Sequence, residues 1–161
     1  MQDQISKRAF FRGKLKAAIS LRPPGAVEQF AELCTRCDAC LAVCPTGIIG
    51  RDPEGLPKVD LSNGACLFCG ECAEACEPQA ILPATSWAIR AKVNATCLSF
   101  NGVMCRTCED HCDHQAIHFH LMTRGRSVPT IDPDRCTGCG ECAAPCPSQS
   151  IQFYEQPSQR G

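Results

Sequence analysis

The stretch "CTRCDACLAVCP", residues 34–45, places four cysteines at the spacing C-x2-C-x2-C-x3-C and ends on a proline. This spacing is the bacterial pattern in which cysteine thiolates hold [4Fe–4S] clusters. Three thiolates two residues apart can wrap one cluster, while the fourth cysteine is carried away and, in two-cluster proteins, ligates the other cluster. The stretch therefore predicts an iron–sulfur site.

Four such cysteine blocks recur along the chain. Their third cysteines, Cys40, Cys72, Cys108 and Cys142, are separated by 32, 36 and 34 residues, and an isoleucine stands five residues after the last cysteine of every block. A period of this length indicates repeated structural units. The sixteen candidate ligands are Cys34, Cys37, Cys40 and Cys44 in block one, Cys66, Cys69, Cys72 and Cys76 in block two, Cys97, Cys105, Cys108 and Cys112 in block three, and Cys136, Cys139, Cys142 and Cys146 in block four.

Block three departs from the pattern because seven residues separate Cys97 from Cys105. The block keeps the downstream isoleucine register, and residues 99–102 can form a turn in which Gly102 adopts a positive φ. We therefore expect a fourth [4Fe–4S] cluster; the alternative is a weakly binding or three-iron site. The nearby His111 and His114 could replace thiolate ligands, although surface or supporting roles are commoner for such histidines.

If each half of the chain is a two-cluster unit, the blocks exchange their last cysteines. Block one would then share its cluster with Cys76 and block two with Cys44, while block three would use Cys146 and block four Cys112. The similar intervals between blocks also permit a nested pairing, so this connectivity is a hypothesis. Structural zinc is the chemical competitor, but it usually takes two separated CxxC pairs.

Composition limits what else can hold the fold. Sixteen cysteines in 161 residues accompany only 6% aromatic side chains, so a large apolar core is not expected and metal or disulfides must contribute. Residues 6–11, "SKRAFF", resemble a twin-arginine motif, but the uncharged stretch that follows, residues 17–21, is too short for an export signal. No run approaches a membrane span. We expect a cytoplasmic protein with reduced thiols and no membrane insertion.

Charge is unevenly distributed. Residues 1–22 carry six basic side chains and one acid, whereas the remainder has ten basic and sixteen acidic residues. The basic end is a solvated tail or a docking segment for a protein partner. Nucleic-acid binding is not supported, because no basic stripe interleaved with aromatic residues follows.

The predicted fold class is α+β, with two ferredoxin-like halves of short hairpins and short helices organised around iron–sulfur clusters. "IIGRDPEGLPKVD" and "AIHFHLMTRGRSVPTID" read as strand–turn–strand units, and residues 25–33 show an apolar stripe at helical spacing. We expect a basic N-terminal segment at 1–24, a first half at 25–84, a connecting segment at 85–96 and a second half at 97–161.

The four-block layout, the stretched "CLSFNGVMCRTCEDHC" block, the near-twin-arginine start and "RPP" at residues 22–24 together resemble the NapF family. These are ferredoxin-type accessory proteins of the periplasmic nitrate reductase system. The resemblance implies a cytoplasmic iron–sulfur protein that interacts with the catalytic subunit of that reductase before export and assists its maturation or cluster assembly. The alternative is a polyferredoxin that carries electrons between a dehydrogenase and a reductase. An enzyme is not expected, because no P-loop, dinucleotide fingerprint or nucleophile–base motif is present.

Overall fold

The computed structural model describes residues 20–123 and 127–156. Most of the predicted basic segment, residues 1–19 with the near-twin-arginine motif, lies outside the described residues. Within the described ranges, no helix combines the length and apolar character that crossing a membrane would require.

Within these two described ranges, the regular structure consists of four single-turn helices and six short strands. In chain order they are α1 Phe30–Leu33, α2 Ala39–Ala42, β1 Ile49–Arg51, β2 Pro57–Val59, α3 Glu71–Glu74, β3 Ile89–Val93, α4 Thr107–Asp110, β4 Ile117–Leu121, β5 Ser127–Ile131 and β6 Ile151–Glu155. The mixture of short helices and hairpins is α+β, as predicted, and fits a ferredoxin-like fold. Helix α1 covers only the end of the predicted helix at 25–33, because residues 25–27 run alongside the chain that follows block two.

Both predicted strand–turn–strand units form antiparallel hairpins. Strands β1 and β2 pair with Ile49 opposite Val59, and strands β4 and β5 pair with Ile117 opposite Ile131. The β1–β2 turn is held by Asp52, whose Oδ1 accepts hydrogen bonds from the N–H groups of residues 54 and 56 at 3.0 and 2.8 Å. This turn chemistry is typical of aspartate, whose short side chain satisfies nearby backbone donors.

In each half, the chain before the first block pairs with the chain after the second block. Ala26 forms a bridge with Ile81 in the first half, whereas the second half has the full antiparallel pair β3–β6. The predicted connecting segment 85–96 therefore contains a strand that belongs to the sheet of the second half. Trp87, Ile89 and Ala91 are buried along it in alternation, as a strand with one covered face requires.

The same type of turn follows every cysteine block. The third residue after the last cysteine has a φ between +47° and +63° and donates its N–H to the carbonyl of that cysteine; these residues are Gly47, Gln79, Gln115 and Gln149. The recurring isoleucine comes two residues later. It is buried in the first three blocks, with Ile81 and Ile117 each 2% exposed, and half-buried in the fourth.

The apolar core is small and continuous between the halves. One cluster of buried residues includes Phe30, Ile81 and Trp87, and a second is built around Ile117. Phe153 of β6 packs against both clusters, so the two halves share core contacts.

Residues 21–24 are fastened to the first half by Arg22. Its Nη1 lies 2.7 Å from Oδ2 of Asp52 and 2.8 Å from the carbonyl oxygen of Pro57, and its guanidinium lies 5.4 Å from the centre of the Phe30 ring. The Asp52 side chain is only 2% exposed and the Arg22 side chain is 28% exposed, so the carboxylate of this ion pair is buried. The "RPP" motif thus connects the chain entry to the first hairpin and to helix α1.

Candidate metal centres

The structure gathers the sixteen cysteines around four small cavities. Site 1 is lined by Cys34, Cys37, Cys40 and Cys76; site 2 by Cys66, Cys69, Cys72 and Cys44; site 3 by Cys97, Cys105, Cys108 and Cys146; and site 4 by Cys136, Cys139, Cys142 and Cys112. Each site combines three cysteines of one block with the last cysteine of the other block in the same half. All four thiols of block three are included, two in buried residues, Cys97 and Cys108.

The exchange of last cysteines depends on where the chain runs after the third cysteine of each block. After the third cysteine, a helical turn carries the chain away from its own cavity, as α2 does in block one and α3 in block two. The fourth cysteine then lies beside the neighbouring cavity. The remaining walls are mainly apolar: Phe30, Ile81 and Pro78 close site 1, and Ile48 and Phe68 help to close site 2.

Left-handed residues turn the backbone around three of the cavities. Blocks one, two and four each have positive φ at the residue before and the residue after the second cysteine; these are Arg36 and Asp38, Phe68 and Gly70, and Gly138 and Gly140. Backbone that alternates between right- and left-handed conformations forms concave nests of N–H groups, which bind anions and iron–sulfur clusters. A cluster with four thiolate ligands carries net negative charge, so this backbone fits it.

Block three also lines a four-cysteine cavity, but its loop has a different backbone conformation. Arg106 follows its second cysteine with a φ of −129°, and the only left-handed residue of the insertion is Gly102, at +83°, as predicted. The insertion is ordered by its own hydrogen bonds: the Asn101 side chain donates to the carbonyl oxygens of Ala95 and Cys97, and the Val103 N–H donates to that of Leu98. The longer loop is therefore an ordered segment, and its Leu98 lines site 3.

Burial raises the pKa of the third cysteine in every block. Burial raises the pKa of Cys40 to about 11 and that of Cys108 to about 12, and burial also raises the pKa of Cys142 and Cys72. These four thiols are protonated at neutral pH in the metal-free chain. Because the thiolate is the form that binds metal, loading each site releases protons.

The last cysteines of blocks one and four have the opposite tendency. Burial by itself would raise the pKa of Cys44 and Cys146, but side-chain hydrogen bonds from Thr46 and Ser150, with further bonds from backbone N–H groups, lower both values. The Ala116 N–H lies 3.3 Å from the Cys112 Sγ. These donors stabilise a sulfur that carries negative charge, which is the state needed for metal binding.

The sites differ in access to solvent. Cys37 of site 1 and Cys69 of site 2 are exposed, whereas every cysteine of sites 3 and 4 is buried or half-buried. The two histidines weighed as substitute ligands, His111 and His114, are exposed residues at the wall of site 4. Among residues 20–123 and 127–156, no three His, Cys, Asp or Glu side chains converge closely enough to hold a single ion.

Two supporting groups were not anticipated from the cysteine pattern. The Ala91 N–H of β3 points at the Cys136 Sγ over 3.5 Å, and the Trp87 ring packs edge-on against Phe68 of block two with centroids 6.4 Å apart. Alternation of apolar residues over 87–93 is the signal that could have identified this strand. Segment 87–91 therefore contacts both site 2 and site 4.

Buried serines support the second half. Ser150, which is 1% exposed, places its Oγ 3.3 Å from the Cys146 Sγ, and Ser99, 2% exposed, donates its hydroxyl to the carbonyl of Ser127. The first contact stabilises the sulfur, and the second ties the block-three insertion to strand β5. Neither residue is distinguishable from an ordinary loop serine in the sequence alone.

Comparison with known proteins agrees with this geometry. A family model described as "4Fe-4S dicluster domain" matches residues 33–80 and 103–150, one match in each half. The ferredoxin-type protein NapF of Escherichia coli (strain K12) is 36% identical over 94% of this chain and 95% of its own length. The NapF protein of Haemophilus influenzae is 35% identical over 95% of this chain and 96% of its own length.

More distant relatives share the cysteine-rich part. The methylamine utilization ferredoxin-type protein MauM of Methylophilus methylotrophus is 32% identical over 81% of this chain and 68% of its own length. The ferredoxin-type protein NapG of Escherichia coli (strain K12) is 29% identical over 81% of this chain. The two dicluster matches contain every cysteine of the four cavities except Cys97, and the identity to NapF extends over almost the whole chain. This chain therefore belongs to the NapF family of ferredoxin-type iron–sulfur proteins.

Proposed function

We propose that the sixteen cysteines hold four [4Fe–4S] clusters, one in each of sites 1 to 4. The observation that carries this proposal is the lining of each cavity by four thiols in the crossed arrangement, with left-handed residues on both sides of the second cysteine at three of the cavities. When bound, such clusters supply one-electron transfer, and their potentials depend on hydrogen bonds to sulfur and on solvent exposure.

The chain's own residues orient and shield these groups. The N–H groups of Ala91, Ala116 and Ser150 lie 3.5, 3.3 and 3.4 Å from the sulfurs of Cys136, Cys112 and Cys146. Three such bonds in the second half, together with its better-buried cysteines, favour the more electron-rich state of sulfur and exclude water. Sites 1 and 2 each have an exposed cysteine, so these are the two sites that a partner could approach most closely.

We further propose that the protein works in the cytoplasm as an accessory factor of the periplasmic nitrate reductase. It would bind the catalytic subunit before export and assist maturation of that subunit's iron–sulfur cluster. The proposal rests on membership of the NapF family over almost the whole chain. The reactive side chains gathered in the structure are thiols assigned to iron, so no catalytic activity of its own is proposed.

The competing function is electron transfer between a dehydrogenase and a reductase. The exposure of Cys37 and Cys69 favours it, because electrons can be exchanged through ligands at the surface. The deciding experiment is an anaerobic pull-down of the tagged protein from nitrate-respiring cells. Recovery of the signal-bearing precursor of the catalytic subunit supports the accessory role. Recovery of dehydrogenases or membrane redox subunits without the precursor supports the carrier role and overturns the first proposal.

A truncation identifies the docking segment in the same assay. Removal of residues 1–19 takes away five of the six basic side chains in the N-terminal segment but keeps Leu21 and Arg22, which bind the first hairpin. A full-length variant with Lys7→Gln and Arg8→Gln tests the charge alone, and Gln2→Ala with Gln4→Ala is its neutral control. We expect the truncated protein and the charge variant to lose the precursor while retaining their iron.

A further inference from the structure

The cysteine loops of the two halves touch each other directly. The Cys66 N–H of block two donates a hydrogen bond of 2.8 Å to the carbonyl oxygen of Cys139 in block four. Cys66 lines site 2 and Cys139 lines site 4. The route from one sulfur to the other therefore follows side-chain and backbone bonds and crosses a single hydrogen bond.

This contact is closely packed. Gly140, with φ +92°, lies against Leu61 of the first half, and a Cβ at position 140 would stand 2.8 Å from the Leu61 Cδ2. The corresponding glycine of block two, Gly70, has a similar φ of +84° and would meet nothing within 4 Å. Both follow the second cysteine in a "CGEC" sequence, so the approach of the two halves is what distinguishes them.

Strand β3 and the residues before it contact both cysteine loops and help to fix their relative position. Gly138 lies against strand β3, where an added Cβ would be 2.4 Å from the Ile89 carbonyl oxygen. The same strand reaches Cys136 of site 4 through the Ala91 N–H, while Trp87 packs on Phe68 of site 2. The relative position of sites 2 and 4 is thus set by backbone contacts and buried side chains.

We propose that the Cys66–Cys139 contact couples sites 2 and 4, so that the four sites form one series in the order 1, 2, 4, 3. This inference rests on the proposed cluster ligation. Sites 1 and 2 are joined within the first half by exchanged cysteines, as are sites 4 and 3 within the second. Across the junction, one electron leaves the reduced group on one side and enters the oxidised group on the other. No bond forms or breaks, and no further reactant is needed.

The test compares Leu61→Asp with its control Leu121→Asp. Leu61 is 2% exposed at the junction and lies outside the cysteine blocks, whereas Leu121 is 85% exposed. Iron per chain is measured first, and EPR spectra of the fully reduced proteins are then recorded at two microwave frequencies. Splittings that keep the same width in field units at both frequencies report coupling between reduced clusters. We expect wild type and Leu121→Asp to share the coupled spectrum and Leu61→Asp to lose part of it, retaining the coupling within each half.

An unchanged splitting in Leu61→Asp at full iron content overturns the series, as does an equal loss in Leu121→Asp. If Leu61→Asp fails to load iron, Gly140→Ala replaces it, because its added Cβ would push Leu61 away from the junction. The control remains Leu121→Asp. Iron well below four clusters in the wild type would instead contradict the ligand proposal. If the pull-down does not recover the precursor, the accessory role is contradicted and the coupling between sites 2 and 4 is unaffected.

Discussion

The crossed cysteine sets can be tested by combining two substitutions in one half. Cys69 lines site 2 together with Cys44, the last cysteine of block one, whereas Cys76, from Cys69's own block, lines site 1. The double variant Cys44→Ala with Cys69→Ala therefore damages one site. The double variant Cys69→Ala with Cys76→Ala damages two. If each block instead held its own cluster, the two results would be exchanged.

The expected loss of iron in each variant follows from the iron content of each site. Four filled sites hold about 16 iron atoms per chain, and the loss of one removes about 4. Cys69→Ala alone is expected to lose about 4 iron atoms, which sets the unit of the assay. The crossed arrangement predicts that adding Cys44→Ala causes no further loss, while adding Cys76→Ala raises the loss to about 8.

The assay is iron and acid-labile sulfide per chain after anaerobic reconstitution, with circular dichroism to confirm that the variants fold. The same test can be carried out independently in the second half. Cys112→Ala with Cys139→Ala should lose one cluster, and Cys139→Ala with Cys146→Ala should lose two. A loss of two clusters from the Cys44 and Cys69 pair, with one from the Cys69 and Cys76 pair, would refute the crossed sets.

Three further predictions concern stability. Ile117→Ala removes a side chain that is 2% exposed and should cost about 2–5 kcal/mol, lowering the unfolding temperature, while His118→Ala at the next, exposed position should leave it unchanged. Burial would raise the pKa of Asp52, but hydrogen bonds from the Leu56 N–H and Arg22 and the charge of Arg22 lower it. Its contribution is therefore present at neutral pH and lost only as the pH falls through the lowered pKa, so Asp52→Asn should lower the unfolding temperature at pH 7; an unchanged value would contradict this role. Removal of iron by a chelator should abolish most secondary structure in circular dichroism, because the apolar core is small; a folded apoprotein would show that the core suffices.

Much of each site could be predicted locally. The spacing of Cys34, Cys37 and Cys40 brings three thiols to one loop, since residues so close in sequence cannot separate far in space. The isoleucine register predicted that block three belongs to the repeat, and the structure gives that block the same turn after its last cysteine, at Gln115. The hairpins were visible as alternating strands around turn residues.

Other features depend on contacts between residues far apart in the chain. Whether Cys44 faces the cavity of block one or of block two depends on where the helical turn after Cys40 sends the chain and on what packs beside it. Similarly, nothing around Cys66 in the sequence indicates that its N–H reaches Cys139, because that contact depends on the docking of Gly140 against Leu61.

The sequence by itself therefore determined the number, spacing and chemistry of the thiols, because local chain geometry keeps ligands of one block together. The tertiary structure alone decided which cysteines share a cavity, which cysteines are exposed and where the two halves meet. Those properties follow from packing between the blocks, in which Phe153 and Trp87 bury their surfaces against residues of the other half.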